Sequence, residues 1–226
     1  MVDLGCGDGD LTSEAADRFG AARLCAIDSS PAMIERARRH AAPGRVYESG
    51  DIASWSGAGD VDLVFANASL QWVPDHRGVL QRWTAALAPG GQLAVQVPAN
   101  GDHPSHLVAN EVAASPAFRD AFGGEPRPDP ASANVLRPEE YAELLHGLGY
   151  RRQHVRLQVY AHVLASSTDV VEWVRGTNLT RFFTRLPTDL HEPFVDAYRT
   201  ALLERIGEHE PYLYAFKRIL MWARQE

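Results

Sequence analysis

Cysteine is scarce: Cys6 and Cys25 are the 2 in 226 residues, and both fall within the first 25. Two thiols so placed are not the spaced set that staples a small secreted domain, so a reducing, cytoplasmic setting is expected. Nowhere does an apolar run approach the roughly 20 residues of a membrane helix. Asp3, rather than a basic leader, follows close on Met1, so neither an anchor nor a targeting segment is expected. Basic charge is also short: Lys+Arg 22 against Asp+Glu 29 leave a net charge of −7. A net acidic chain repels nucleic acid and anionic membranes, and neither is an expected partner. Repeats and low-complexity tracts are missing, and 45% hydrophobic with 23% charged residues is the composition of a folded soluble chain. The histidines are scattered and the two cysteines share no ligand spacing with them, so no metal is expected. What charge there is lies unevenly. Residues 1–149 carry 11 basic and 20 acidic side chains, whereas 150–226 carry 11 and 9, which makes the second part the better host for an anion.

The apolar pattern alternates between strand and helix. Met1 to Leu4 reads as a short buried strand, Gly5-Cys6-Gly7-Asp8-Gly9 as a loop, and Leu11, Ala15 and Phe19 recur at helical spacing. A second strand, Leu24 to Ile27, ends at Asp28. Ser30 then supplies an N-cap and Pro31 a first helical residue for a helix through Met33, Ile34 and Ala37, which ends before Pro43-Gly44. Arg45 to Ser49 forms a third strand ending at Gly50-Asp51, and Val61 to Ala66 a fourth ending at Asn67. A helix with Val79, Leu80, Trp83 and Leu87 inward leads through Pro89-Gly90-Gly91 to a fifth strand, Gln92 to Val97. Such alternation implies an α/β class with a mainly parallel sheet covered on both faces.

Beyond Pro98 the alternation breaks. Helical stretches at 105–122 and 137–147 flank the proline-rich Glu125 to Pro130, and Arg152 to Leu164 alternates as a sixth strand. Ser166 with Asp169 marks a helix through Trp173, and Thr188 starts another that turns Leu190, Phe194, Ala197, Tyr198, Ala201 and Leu202 inward. Phe216 to Ala223 returns as the seventh strand. The expected organisation is a core over 1–99, a first helical lid over 100–150, strand six within 151–165, a second lid over 166–215 and the last strand within 216–226.

In an open α/β sheet the ligand crevice lies outside the carboxyl ends of the strands, where this chain puts Gly5, Gly7 and Gly9, then Asp28, Asp51 and Asn67. Glycines let the backbone approach a ligand, an acid after the second strand can accept both hydroxyls of a ribose, and Asp51 can take an exocyclic amine. A dinucleotide fingerprint would need glycine at position 10, where Asp10 stands and repels a pyrophosphate. A cofactor carrying an amino acid and a sulfonium instead tolerates acids, with Asp3 or Asp8 near its ammonium.

The loop Asp3-Leu4-Gly5-Cys6-Gly7-Asp8-Gly9 resembles the S-adenosylmethionine (SAM) loop of class I methyltransferases. The segment Phe65 to His76, reading FANASLQWVPDH, resembles that of the trans-aconitate 2-methyltransferase family, and so do Ile27 to Ile34, Leu93 to Pro98, Pro104-Ser105-His106 and, more loosely, Glu172-Trp173-Val174. The resemblance covers nearly the whole chain. It implies a Rossmann-like class I methyltransferase fold with a seven-stranded sheet and a helical lid, SAM as cofactor, and methyl-ester formation on a carboxylate of a small tricarboxylic acid. It gives ribose to Asp28, adenine to Asp51, and a backbone contact to Cys6. Further cofactor contacts are expected at Ser29, Met33, Ile52, Asn67, Ala68 and Trp72. Relatives carry a helical segment before the first strand that helps close the cofactor site; with that strand starting at Met1, the expectation is one of three: the chain is a fragment, its start is misassigned, or its site is more open than usual.

A carboxylate with a pKa near 4 is already ionised at neutral pH, so the reaction asks for alignment rather than a catalytic base, and none is assigned. A phenol or alcohol acceptor would instead need a base such as His76, His103 or His106. A trianionic acceptor needs cations, best supplied by guanidinium groups. Arg181 and then Arg175 are the leading candidates, ahead of Arg137, Arg185 and Arg199. His106 is a candidate carboxylate donor and Trp72 a wall for the methyl site, while Tyr212 and Tyr214 are core or lid contacts. The alternatives are a SAM-dependent enzyme acting on another small molecule and a non-catalytic SAM-binding protein.

Overall fold

The computed structural model describes residues 1–124 and 129–226. The chain forms β1 (Val2–Leu4), α1 (Asp10–Phe19), β2 (Leu24–Asp28), α2 (Pro31–Ala37), β3 (Arg45–Ser49), β4 (Val61–Asn67), α3 (His76–Ala85) and β5 (Leu87–Pro98). There follow α4 (Pro104–Ala114), α5 (Pro130–Ala133), α6 (Pro138–Gly147), β6 (Arg152–Leu164), α7 (Asp169–Arg175), α8 (Thr180–Phe183), α9 (His191–Ile206) and β7 (Tyr212–Arg224). All seven strands join one sheet in the order β3-β2-β1-β4-β5-β7-β6. β1 to β5 pair in parallel, and β7 runs antiparallel to β5 from Gln92↔Arg224 to Pro98↔Arg218. The expected α/β class and mainly parallel seven-stranded sheet are therefore present.

Contacts divide the chain into two compact units. The first comprises Met1–Pro98, Asn134–Gln158 and Arg218–Glu226. Its sheet buries Leu4, Ala26, Val64, Ala66, Leu93 and Ile219, and α1 and α2 close one side over Cys6, Ala16, Leu24, Ile34 and Tyr47. The second comprises Ala99–Ala133 and Val159–Lys217. There α4 packs on α9, whose Phe194, Tyr198 and Leu202 recur every fourth residue into a core shared with Val108, Val112, Phe118, Phe122, Val170, Val174 and Phe182. Phe118 meets Phe194 edge to face at 5.2 Å between centroids, and Phe182 lies 5.1 Å from Phe194.

Element boundaries depart from the sequence pattern at places with identifiable causes. The helix expected over 105–122 stops at Ala114, because Pro116 cannot continue the ladder; only a 3-10 turn, Asp120–Phe122, follows. Leu87 belongs to β5 rather than to α3. It pairs with Val61, and the Pro89-Gly90-Gly91 stretch is accommodated as an irregularity before Leu63↔Gln92, Gly90 taking φ 76°. β7 begins at Tyr212, ahead of the expected Phe216. Residues 134–150, expected within the first lid, group with the sheet, since α6 buries Tyr141 and Leu145, and the Tyr150 hydroxyl donates to Thr84 Oγ1 at 3.1 Å. Of the proline-rich separator, residues 125–128 lie outside the described residues.

Candidate cofactor site

The site is built where β1, β2, β3 and β4 end. β1 runs straight into the glycine loop, and the Gly5 and Cys6 amides donate to the Ile27 carbonyl at 2.7 and 3.0 Å, tying the loop to the end of β2. Gly5 sits at φ +92°, and a Cβ there would come within 2.1 Å of Ser69 Cβ, so only glycine lets the loop pass the end of β4. Asp28 braces the same loop from β2: one carboxylate oxygen accepts from the Gly7 amide and the other from the Ser30 amide, each at 2.9 Å. A carboxylate has about four acceptor positions, so lone pairs remain on both oxygens. Ser30 then caps α2 through its hydroxyl, with Pro31 in the first turn. After β3, Asp51 holds its own turn by accepting from the Ala53 amide at 2.9 Å.

These ends enclose a cavity of about 540 Å³, within the usual range for a small-molecule site. Asp3, Gly5, Cys6, Gly7, Asp28, Ser29, Met33, Asp51, Ile52, Asn67, Ala68 and Trp72 all line it. Gly9, also expected at the ligand, stands outside it. At φ +81° it begins α1, and a Cβ would meet Ala37 Cβ and Tyr47 Cε1 at 3.0 Å, so this glycine serves helix packing. Sequence reasoning passed over Leu11, Thr12, Ser69 and Val73, which also line the wall. Thr12 had a readable signal, being in the first turn of the helix that leaves the glycine loop; Ser69 had none. A larger cavity, about 1000 Å³, opens at the amino ends of the strands between Phe19, Trp55, Leu63 and Trp222. In sheets of this kind the ligand crevice is at the carboxyl ends, which selects the smaller cavity.

The electrostatics of the lining are one-sided. Asp3, Asp8, Asp28 and Asp51 face the cavity, and among the described residues no lysine, arginine or histidine does. A pyrophosphate would be repelled there, whereas a ligand with an ammonium, a sulfonium and a ribose finds acceptors for each. Asp3 is 2% exposed and accepts from the Thr12 hydroxyl through Oδ2, while Oδ1 has no hydrogen-bond partner among the described residues. Burial, reinforced by the charge of Asp28 and opposed by the Thr12 bond, pushes the Asp3 carboxyl up to about 7. A buried acceptor without a donor, in a wall of acids, fits the cationic end of SAM. Burial and the same acids push the Cys6 thiol up to about 12, which keeps it a thiol and removes it as a nucleophile.

The histidines considered as bases are engaged. His76 is buried, with Nε2 on the Leu70 carbonyl at 2.8 Å and Nδ1 on the Tyr141 hydroxyl at 2.7 Å, and burial lowers its pKa. His103 accepts from the Ser105 amide through Nδ1 at 3.1 Å and caps α4; burial first, then the nearby His106, pushes it down to about 4.

In the second unit, two of the three expected acceptor contacts come together. His106 Nδ1 lies 3.2 Å and Arg181 3.9 Å from Oδ2 of the buried Asp129. Arg181 is further held by the side-chain oxygens of Asn110 and Asn178, and its guanidinium lies 4.0 Å above the Phe182 ring. Arg175 is apart from them, paired with Glu192 at the surface. Among the remaining cations, Arg137 pairs with Glu139 and Glu140, Arg199 with Asp196, and Arg185 donates to the Phe122 carbonyl. Tyr214 is fully buried, its hydroxyl 3.3 Å from Asn100 Nδ2, so of the two tyrosines it is core. Among the described residues no group of three or more His, Cys, Asp or Glu side chains could hold a metal, and no helix is long and apolar enough to cross a membrane.

Comparison with known proteins bears on this geometry. Residues 1–91 match a methyltransferase-domain family. The trans-aconitate 2-methyltransferase of Deinococcus radiodurans is 41% identical over 225 residues, 99% of this chain and 85% of the relative. That of Streptomyces avermitilis is 39% identical over 232 residues, with 100% and 85% covered. Among solved structures, YcgJ of Bacillus subtilis superposes with a TM-score of 0.62 at 13% identity, covering 100% of this chain and 91% of its own. Phosphoethanolamine N-methyltransferase 2 of Haemonchus contortus, solved with S-adenosyl-L-methionine, gives 0.58 at 17% identity, covering 100% of this chain and 48% of its own. These two structures share the fold. The glycine loop, the acids at the strand ends and identity near 40% along the whole chain together make it a member of the trans-aconitate 2-methyltransferase family.

Proposed function

We propose that the chain is a SAM-dependent O-methyltransferase that esterifies a carboxylate of trans-aconitate, releasing the monomethyl ester and S-adenosylhomocysteine. The observation that carries the proposal is the acid-only wall of the strand-end cavity, in a chain 41% identical to a trans-aconitate 2-methyltransferase. When bound, SAM supplies a methyl group on a cationic sulfonium to a nucleophilic oxygen. The chain's own residues do the rest. Asp28, already fixed by the Gly7 and Ser30 amides, offers its free lone pairs to the ribose hydroxyls, and Asp51 faces the adenine amine. Asp3, once ionised, holds the ammonium through its unpartnered Oδ1. Trp72, 61% exposed on the wall, presents an apolar face for bound ligand to cover, which excludes water from the reacting atoms. No base is required of the protein, since the acceptor is ionised beforehand, and this accords with the engagement of His76 and the low pKa of His103. The contacts expected for the acceptor's other carboxylates are His106, Arg181 and Arg175.

Calorimetric titration with SAM, followed by mass detection of methyl ester from trans-aconitate and from a panel of di- and tricarboxylates, tests the proposal. Binding with ester formed chiefly from trans-aconitate is expected. Binding with no ester from any carboxylate would overturn the acceptor, and no binding would overturn the cofactor.

A further inference from the structure

At the carboxyl end of β4 the chain departs from ordinary backbone geometry. Ala68 has φ 55°, the sole non-glycine residue with positive φ among the described residues, and it lies in the cavity wall between Asn67 and Ser69. L side chains rarely adopt that region, and alanine has no side-chain polar group with which to hold itself there. Its two backbone groups are held by others. The Ala68 amide donates to the Gln96 carbonyl at 2.9 Å, and the Ala68 carbonyl accepts from Gln71 Nε2 at 2.6 Å. Gln71 does not line the cavity and is 4% exposed, and its own carbonyl is held by Asn134 Nδ2 at 3.0 Å. Its Oε1 is buried and has no partner among the described residues. The neighbour of Nε2 is a carbonyl oxygen, so the amide must present its NH₂ group there, and the unsatisfied oxygen is accepted in return. A residue placed only to fill space would be better apolar.

We infer that Gln71 is a positioning residue for methyl transfer: its amide holds Ala68 in the left-handed conformation, and that turn sets Asn67, Ala68 and Trp72 along the reacting end of the cavity. Asp3, Asp28 and Asp51, which carry the polar contacts proposed for the cofactor, lie on other elements, so the contribution of Gln71 falls more on turnover than on cofactor affinity. The inference rests on the methyl-transfer proposal for the same cavity.

The test is Gln71→Met, which keeps the volume and removes the donor, alone and combined with Ala68→Gly, which adopts positive φ without support. Q71M is expected to lower kcat at least about tenfold while the SAM Kd stays within about threefold. The Ala68 ¹³Cα and ¹³Cβ shifts should move from values for positive φ to those for negative φ. The double variant is expected to recover kcat to within about threefold of the parent, which a packing defect would not allow. A Q71M protein with full kcat, unchanged Ala68 shifts, or a folded double variant that stays impaired would each overturn the inference. If Q71M does not fold alone, the double variant decides: a folded, active protein supports the brace, and one that fails to fold refutes it. If the parent binds SAM yet forms no ester, the proposed acceptor fails by itself; unchanged Ala68 shifts in Q71M would then still overturn the brace, and shifted ones would support it.

Discussion

The two units handle charge in opposite ways. In the first, four carboxylates face one cavity with no cation among the described residues that line it, and the most buried, Asp3, has an oxygen without a described partner. In the second, the buried Asp129 carboxylate lies near both His106 and Arg181, and α9 adds surface pairs such as Arg205 with Glu111 at 2.8 Å. Charge left unbalanced inside a protein costs free energy unless something else supplies the counter-charge, so the first unit is arranged for a cationic ligand. In the second unit a single buried carboxylate lies near two groups that can carry positive charge, the reverse of the acid-lined cavity. The difference also shows in packing: the second unit has a continuous aromatic and aliphatic core around Phe194, whereas the first has an open-walled cavity at its strand ends.

Substitutions in the two units are expected to differ in cost. Phe194→Ala should be the most severe change, lowering stability by about 3–5 kcal/mol in urea titrations, because its ring is fully buried between Phe118 and Phe182. Gly5→Ala should reduce SAM affinity at least about 100-fold by calorimetry, since the added methyl collides with Ser69 at a backbone angle alanine avoids. Arg181→Gln, which takes a cation from the neighbourhood of Asp129, is expected to cost about 2 kcal/mol, against less than about 0.5 kcal/mol for Arg175→Gln at its exposed pair. Equal losses at the two arginines would remove the distinction drawn between them.

The mildest probe is pH. The buried Asp3 carboxyl titrates near 7 in the free protein, and binding an ammonium requires it ionised. SAM affinity should therefore rise about tenfold from pH 5.5 to 6.5, flatten above about pH 7.5, and be accompanied by proton release that Asp3→Asn abolishes. Stability of the free protein runs the other way. A carboxyl raised above its unfolded value of 3.8 contributes fully below that pH, and the contribution is lost as pH rises through about 7, so Asp3→Asn should raise the melting temperature at pH 8 while weakening SAM. A melting temperature unaffected at pH 8 would mean that Asp3 is not desolvated as described.

Much of this was legible from residues near one another in sequence. The alternation of strands and helices gave the sheet, and the glycine loop with Asp28 and Asp51 marked its carboxyl edge, because each lies at the end of an apolar run whose direction is fixed by parallel pairing. What escaped were contacts between residues far apart in sequence. Gly9 looks like Gly5 in a loop motif, yet one packs against α2 and β3 while the other passes Ser69, 64 positions away. Residues 134–150 look like a continuation of the lid, but Tyr141 and Tyr150 find partners at His76 and Thr84. The arginines could be proposed only from the cations of the two helical stretches; which of them meets Asp129 depended on packing between residues distant in sequence.

The α/β class and the acids and glycines at the carboxyl edge of the sheet are therefore legible in local pattern, since periodicity, glycines and the sign of charge act over a few residues. Packing set which acid is buried, which glycines line the cavity, and that the carbonyl of Ala68, at positive φ, meets a glutamine outside the cavity. Burial and hydrogen bonding depend on what surrounds a group in space, and that is set only when distant segments pack.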